Sequence, residues 1–213
     1  MTKDLLMRYL PFLLLTACAP HYMSAGVSED PPVPTVEIED AEPAYDRDEW
    51  GRWWDADHDC QDTRQEVLIA ESLVPVEYDE RGCKVLSGRW GCPFTGIVYT
   101  NPRQLDVDHL VPLKAAHDAG GYAWSKEAKR AYFNDLDNPG HLTAVSLSAN
   151  RSKGDRGPLE WMPPNRDYHC EYLSNWMTVK ANYKLAVTCE EGASIAMMMA
   201  KACRAAKEVP AAP

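Results

Sequence analysis

The stretch LDVDHLVPL, residues 105–113, alternates apolar and polar residues up to a proline. A period of two predicts a half-buried β-strand. Pro112 ends it, because proline has no N–H to give to a sheet. Asp108 and His109 are neighbours on this strand and should point to opposite faces, so they can serve one site only through a bulge or a local twist.

Asp108 and His109 carry complementary chemistry. A carboxylate is a hard oxygen ligand for Mg²⁺, and an imidazole is a base with a pKa near neutrality. The pair therefore predicts a metal-and-base site. A purely structural role at the end of a strand is the alternative.

The sequence around this strand predicts a mixture of helices and strands, an α+β domain. Gly120-Gly121 interrupts an Ala-rich helical stretch, and Ser125 is placed to cap its second half. Residues 150–158 are polar and typical of a turn. The other predicted helices cover 62–72, 168–184 and 194–207, and the other strands cover 84–90, 96–99 and 142–146.

The first eighteen residues have the pattern of an export signal. Lys3 and Arg8 precede an apolar run at 10–15, which is too short to cross a bilayer. The following LTAC, residues 15–18, resembles a bacterial lipobox, in which Cys18 becomes the lipidated N-terminus. We therefore expect an extracytoplasmic protein, lipid-anchored at a membrane and without a transmembrane helix. An ordinary signal peptide with a chance cysteine is the alternative, and the protein would then be secreted.

Residues 19–48 form a proline-rich, acidic stretch in which Arg47 is the only Lys or Arg. Such a composition predicts an extended, disordered linker. We expect the folded domain at 49–207 and a disordered tail at 208–213. Of the net charge of −10, −7 falls in residues 1–49. The domain is nearly neutral, so its charge does not exclude a polyanionic substrate.

Six cysteines follow Cys18, and an even number in an oxidising compartment favours disulfides. Fifteen pairings are possible, and the sequence alone does not choose among them. The absence of a Cys-x-x-Cys motif argues against a zinc site. These cysteines are Cys60, Cys83, Cys92, Cys170, Cys189 and Cys203.

Three segments in order, DVDHLVPL (106–113), FNDLDN (133–138) and NRSKGD (150–155), resemble the HNH endonuclease family, also called His-Me finger. CKVLSGRW (83–90) and PLEWMPP (158–164) are similar to the exported nucleases with a GmrSD C-terminal-like domain. The resemblance covers about residues 58–205. It implies a ββα-metal core, with a β-hairpin and a helix around one divalent ion, flanked by helices and stapled by disulfides.

The resemblance also implies roles for single residues. Asp108 and Asn150 would bind the metal, and His109 would deprotonate the attacking water. The middle asparagine of the family pattern falls on Asn138, which would brace the loop and orient His109. Asn134 is the alternative for that role.

Basic residues follow Asn150 closely. Arg151, Lys153 and Arg156 could hold the phosphates that flank the scissile bond, or they could form a solvated charged loop. His141 is a further candidate near the metal.

The resemblance implies a disulfide pairing as well. Related nucleases link segments equivalent to Cys60 and Cys83, and Cys170 with a C-terminal cysteine such as Cys203. That leaves Cys92 with Cys189.

Together these observations predict a metal-dependent endonuclease that hydrolyses phosphodiester bonds of DNA or RNA outside the cytoplasm, with little sequence preference. The expected cofactor is one divalent ion, Mg²⁺ before Mn²⁺ or Ca²⁺. The alternative is a non-catalytic, disulfide-stabilised surface lipoprotein that binds nucleic acid or a protein partner.

Overall fold

The computed structural model of the protein describes residues 42–208. The predicted signal segment, the lipidation site Cys18, most of the predicted linker and the tail beyond residue 208 lie outside the described residues. Within 42–208, no helix combines the length and the apolar character needed to cross a membrane.

The described chain has a mixed α/β architecture of helices and small antiparallel sheets. Its α-helices are α1 (Thr63–Ala70), α2 (Leu113–Asp118), α3 (Lys126–Phe133), α4 (Leu147–Lys153), α5 (His169–Asn182) and α6 (Cys189–Glu208). Its strands are β1 (Glu77–Tyr78), β2 (Val85–Ser87), β3 (Trp90–Gly91), β4 (Val98–Tyr99), β5 (Leu105–His109) and β6 (Leu142–Ser146). Short 3-10 helices cover Arg47–Trp50, Pro102–Gln104, Gly121–Ala123 and Arg166–Tyr168.

The strands form three separate antiparallel pairs, β1–β2, β3–β4 and β5–β6. The strand predicted at 84–90 is divided at Gly88, so that β2 pairs with β1 and β3 pairs with β4. A Cβ at Gly88 would lie 2.5 Å from the Trp90 ring, which explains the glycine there. The Trp90 indole is buried and donates a hydrogen bond to the Leu68 carbonyl at 2.7 Å.

The β5–β6 pair occupies the middle of the domain. Its register runs without a shift from Leu105 opposite Ser146 to His109 opposite Leu142. On one face, Val107 and its neighbours join a small core under α1; on the other, Val145 joins a larger core with α5. Apolar packing on both faces therefore fixes the position of this pair.

Side-chain caps begin three of the α-helices. Asp62 caps α1 and Ser125 caps α3, each by accepting a backbone N–H, and of these two the sequence predicts the Ser125 cap. Ser146 caps α4 in the same way, through the N–H of Ala149. Because this cap starts a helix directly after β6, the turn predicted at 150–158 is wrong for residues 150–153, which are helical.

Two disulfides are present among the described residues, Cys60–Cys83 and Cys170–Cys203. Both are pairs that the resemblance implies. The implied pair Cys92–Cys189 is wrong, because Cys92 is a free, buried thiol. Its Sγ accepts the backbone N–H of Ser146 at 3.2 Å, so the thiol is used in packing beneath β6.

The folded domain begins earlier than predicted. Residues 42–48 lie in the predicted linker, but Tyr45 packs against the larger core. The carbonyl of Pro43 accepts a hydrogen bond from Nε2 of His117 at 2.8 Å. This segment therefore belongs to the folded unit.

Candidate active site

A cleft of about 330 Å³ opens beside β5. Asp108, His109 and Asn150 all line it. No bulge interrupts β5, so of the two predicted routes to the convergence of Asp108 and His109 the bulge is excluded. Among the described residues β5 pairs only with β6, and side chains from both faces can border its open edge. The other residues of the cleft are Tyr45, Arg47, Trp53, Val107, Pro112, Leu113, Lys114, Gly154 and Asp155.

His109 is buried and has a defined tautomer. Its Nε2 lies 2.9 Å from the carbonyl oxygen of Phe133. A carbonyl only accepts, so Nε2 carries the proton and Nδ1 carries the lone pair. Burial, followed by the nearby His141, holds the pKa of His109 well below its usual 6.5. The imidazole is therefore neutral at pH 7 and able to accept a proton at Nδ1.

Aromatic rings hold the plane of the His109 imidazole. The Trp53 ring stacks parallel to it, with 5.4 Å between centroids. Phe133 lies at a tilt with a centroid distance of 4.7 Å, and His141 packs edge-on at 5.6 Å. His141 is itself fully buried, and its Nε2 donates to the Tyr132 carbonyl at 2.7 Å. His141 thus touches His109 by packing and does not line the cleft.

Asp108 forms a buried ion pair with Lys153. The Lys153 ammonium lies 2.6 Å from Oδ2 of Asp108, and the lysine side chain is 0% exposed. The same ammonium donates to the backbone carbonyl of His109 at 2.9 Å. Burial raises the pKa of Asp108 and lowers that of Lys153, and the charge of each partner opposes the shift of the other. Oδ1 of Asp108 has no hydrogen-bond partner within the described residues.

Asn150 reaches the cleft from α4. Its Nδ2 donates to Oδ2 of Asp106 at 3.0 Å, which leaves its side-chain oxygen available as an acceptor. Asp108 and Asn150 thus offer oxygen donors to the same cleft, and hard cations such as Mg²⁺ prefer oxygen donors. With few protein ligands, an ion held here keeps positions for water and phosphate. The donor set fits a divalent metal.

The two middle asparagines occupy different places. Asn138 donates a hydrogen bond to Asp135 and accepts one from Asn182 at 2.6 Å, and it does not line the cleft. Asn134 instead accepts from the backbone N–H of Trp54 at 3.0 Å. It also donates to the carbonyl of Arg52 at 3.1 Å. Asn134, the alternative for the middle position, therefore fixes the segment that carries Trp53. It also comes directly after Phe133, whose carbonyl oxygen accepts the hydrogen bond from His109.

The basic residues that the sequence predicts to bind phosphate do not line the cleft. Lys153 is buried against Asp108, and its ammonium faces the ion pair instead of solvent. Arg151 is exposed on α4, and Arg156 donates to the Ser152 and Lys153 carbonyls at the end of that helix. The cleft is instead lined by Arg47 and Lys114.

Comparison with known proteins defines the family. The model of the GmrSD restriction endonucleases, C-terminal domain, matches residues 62–198. The chain belongs to this family. An uncharacterized secreted protein of Arthroderma benhamiae is 35% identical over 165 residues, which is 78% of this chain and 79% of that protein. No solved structure matches the chain.

Membership in the GmrSD C-terminal domain family suggests a nuclease-type function. The matched range contains Asp108, His109, Asn150 and Lys153. It does not contain Arg47 or Trp53, two cleft residues that sequence reasoning missed, whereas Lys114, which was also missed, lies within it. Arg47 lies in an acidic, proline-rich stretch, which predicts a linker. The only sequence signal for Trp53 is that it forms a Trp-Trp pair with Trp54.

Proposed function

We propose that the protein is a metal-dependent endonuclease that hydrolyses phosphodiester bonds of DNA, and of RNA, with little sequence preference. The observation that carries this proposal is the state of His109. It is neutral, its proton is fixed on Nε2 by the Phe133 carbonyl so that Nδ1 carries the lone pair, and it lines the same cleft as Asp108 and Asn150. This is the arrangement that a general base for water requires.

In this proposal β5, β6 and α4 form a ββα-metal core. Asp108 and Asn150 would hold one divalent ion, Mg²⁺ in preference to Mn²⁺ or Ca²⁺. When bound, such an ion neutralises charge on the phosphate and assists the departing oxygen. Lys153 keeps the Asp108 carboxylate in one orientation through the 2.6 Å ion pair.

The residues of the chain supply the proton transfer. Nδ1 of His109 takes a proton from a water in the cleft, and the Phe133 carbonyl stabilises the imidazolium that forms. The stacked Trp53 ring prevents the imidazole from turning and shields it from bulk water. Water exclusion keeps the base neutral until it acts.

Substrate binding would rely on phosphate contacts. Arg47 and Lys114 lie along the cleft and can bind the phosphates that flank the scissile bond. Arg151 is exposed on the neighbouring helix and can extend this track. Phosphate contacts carry no sequence information, which agrees with a nuclease of low sequence preference.

The proposal is tested with supercoiled plasmid DNA and RNA, in Mg²⁺, Mn²⁺ or excess EDTA. His109→Ala should reduce turnover by about 10²–10⁴-fold. Glu160→Ala, at an exposed residue outside the cleft, should keep full activity. Full activity of His109→Ala would refute the base role, and activity in EDTA would refute the metal. Binding of DNA without any cleavage would favour the non-catalytic alternative.

We also propose an extracytoplasmic location. Two disulfides and a relative with "secreted" in its name support it. Anchoring through Cys18 stays a prediction, because Cys18 lies outside the described residues. Fractionation of cells that make a Cys18→Ser variant tests it: an anchored protein should move from the membrane to the soluble fraction, whereas an unanchored protein should not change.

A further inference from the structure

We propose that Asp55, Asp57, Asp59 and Glu66 form a Ca²⁺-binding loop that is separate from the candidate active site. One carboxylate oxygen from each of the three aspartates lies within 4.8 Å of the others. The loop connects Trp54 to α1, which begins at Thr63. None of the four carboxylates lines the cleft beside β5.

The spacing of these carboxylates is that of a known calcium loop. In the twelve-residue stretch DADHDCQDTRQE, residues 55–66, acidic residues occupy positions 1, 3, 5 and 12. EF-hand loops place their ligands at these positions and need a sharp turn at position 6, where glycine is usual. Here Cys60 occupies that position with φ of 76°, the left-handed conformation that glycine otherwise supplies.

The state of Asp55 points directly to a cation. Its Oδ2 accepts the N–H of Cys60 at 2.9 Å, but its Oδ1 is shielded from solvent and has no partner within the described residues. A buried anionic oxygen without a donor or cation is costly. No ion pair found in the described chain involves Asp55, Asp57 or Asp59. A bound cation would satisfy Oδ1 and offset the repulsion between the carboxylates.

Glu66 occupies position 12 of this stretch and lies in the first turn of α1, directly after the loop. In calcium loops the residue at position 12 closes the site from the following helix. Glu66 can therefore complete the site that the three aspartates begin.

Ca²⁺ fits this loop better than Mg²⁺. Four carboxylates with nearby backbone carbonyls and water can supply the six to eight oxygen ligands that Ca²⁺ takes in a flexible geometry. Mg²⁺ needs a near-ideal octahedron and gives up its water reluctantly. The Cys60–Cys83 disulfide anchors the loop on one side, and Trp53, which stacks on His109, precedes it on the other. The ion would stabilise this wall of the cleft without taking part in catalysis.

The test is the thermal unfolding of the full chain in about 5 mM CaCl₂, about 5 mM MgCl₂ or EDTA. With the Kd of about 10⁻⁴–10⁻³ M that is usual for extracellular calcium modules, Ca²⁺ should raise the Tm by about 5 °C relative to EDTA. Mg²⁺ should raise it less. Tb³⁺ luminescence excited through the adjacent tryptophans, and its displacement by Ca²⁺, measures binding directly.

The double variant Asp57→Asn/Asp59→Asn should lose the Ca²⁺-dependent rise and bind Tb³⁺ at least about tenfold more weakly. In EDTA its Tm should equal or exceed that of the wild type, because two repelling charges are gone. Asp167→Asn, at an exposed aspartate elsewhere, and Asn150→Ala, at the candidate active site, should keep the rise. The proposal is overturned by a wild type without a Ca²⁺ response, by an unchanged response in the double variant, or by a double variant that is already destabilised in EDTA.

Discussion

Replacing Lys153 with methionine tests the central ion pair of the site. Methionine has a similar length and shape but no charge, so the change removes the ammonium that contacts Asp108 at 2.6 Å and the His109 carbonyl at 2.9 Å. The lysine side chain is 0% exposed and that of Asp108 is 8% exposed. Water therefore cannot easily replace the missing donor, and a buried carboxylate is left unpaired.

Removing one partner of a buried ion pair costs about 3–5 kcal/mol of folding free energy. For a domain of this size that corresponds to a decrease in Tm of about 10 °C. Adding Asp108→Asn to Lys153→Met should restore part of the loss, because the remaining buried side chain is then neutral. Arg151→Met, on the exposed face of the same helix, should change the free energy of unfolding by less than about 0.5 kcal/mol.

Urea unfolding followed by tryptophan fluorescence, in EDTA and at pH 7, measures all three variants. Two results would refute the reasoning. The first is a Lys153→Met variant that loses less than about 1 kcal/mol. The second is a double variant that is no more stable than Lys153→Met alone, since the buried charge of Asp108 would then not be the source of the cost.

Three further predictions use other parts of the fold. Burial lowers the pKa of both His109 and His141, so the unfolded chain binds more protons below pH 6.5. The free energy of unfolding should therefore fall, by up to about 1.4 kcal/mol per pH unit for each histidine, as the pH decreases through that window. A flat profile between pH 7 and pH 5 would contradict this. Replacing Cys170 and Cys203 with serine removes a disulfide that spans a sequence separation of 33. The free energy of unfolding, measured in denaturant, should fall by about 3–4 kcal/mol. An unchanged unfolding midpoint would exclude such a contribution. Trp53→Ala should lower the kcat of DNA cleavage about tenfold, because the His109 imidazole is then free to turn. Trp54→Ala, at a residue that is 43% exposed, should leave kcat unchanged. Equal effects of the two variants would contradict the role of stacking.

Local signals in the sequence were sufficient for much of the fold. The strand at 105–109 and the Ser125 cap are found where the alternation and the capping rule place them. The turn predicted for residues 150–153 is wrong, because Ser146 caps a helix that includes them. A side-chain cap decides this segment more strongly than its polar composition does.

Contacts between distant segments explain what the sequence could not predict. Lysine is usually a surface residue. Lys153 becomes the buried partner of Asp108 only because α4 packs against β5. The even cysteine count predicted full pairing, but Cys92 is a buried thiol. Arg47 reaches the cleft only because residues 42–48 fold back onto the domain. No local sequence pattern predicts these contacts.

The strand pair at the centre of the domain also has a consequence for the order of folding. β5 and β6 are separated in the chain by residues 110–141, which include α2 and α3. Closing such a loop has an entropic cost before the pairing returns any stability, so this pair should form late on the folding pathway. The lone pair of His109 and the oxygens of Asp108 and Asn150 would then meet only in the nearly complete native state. Under the proposed function, a nascent or partly folded chain would accordingly have no hydrolytic centre until folding is finished.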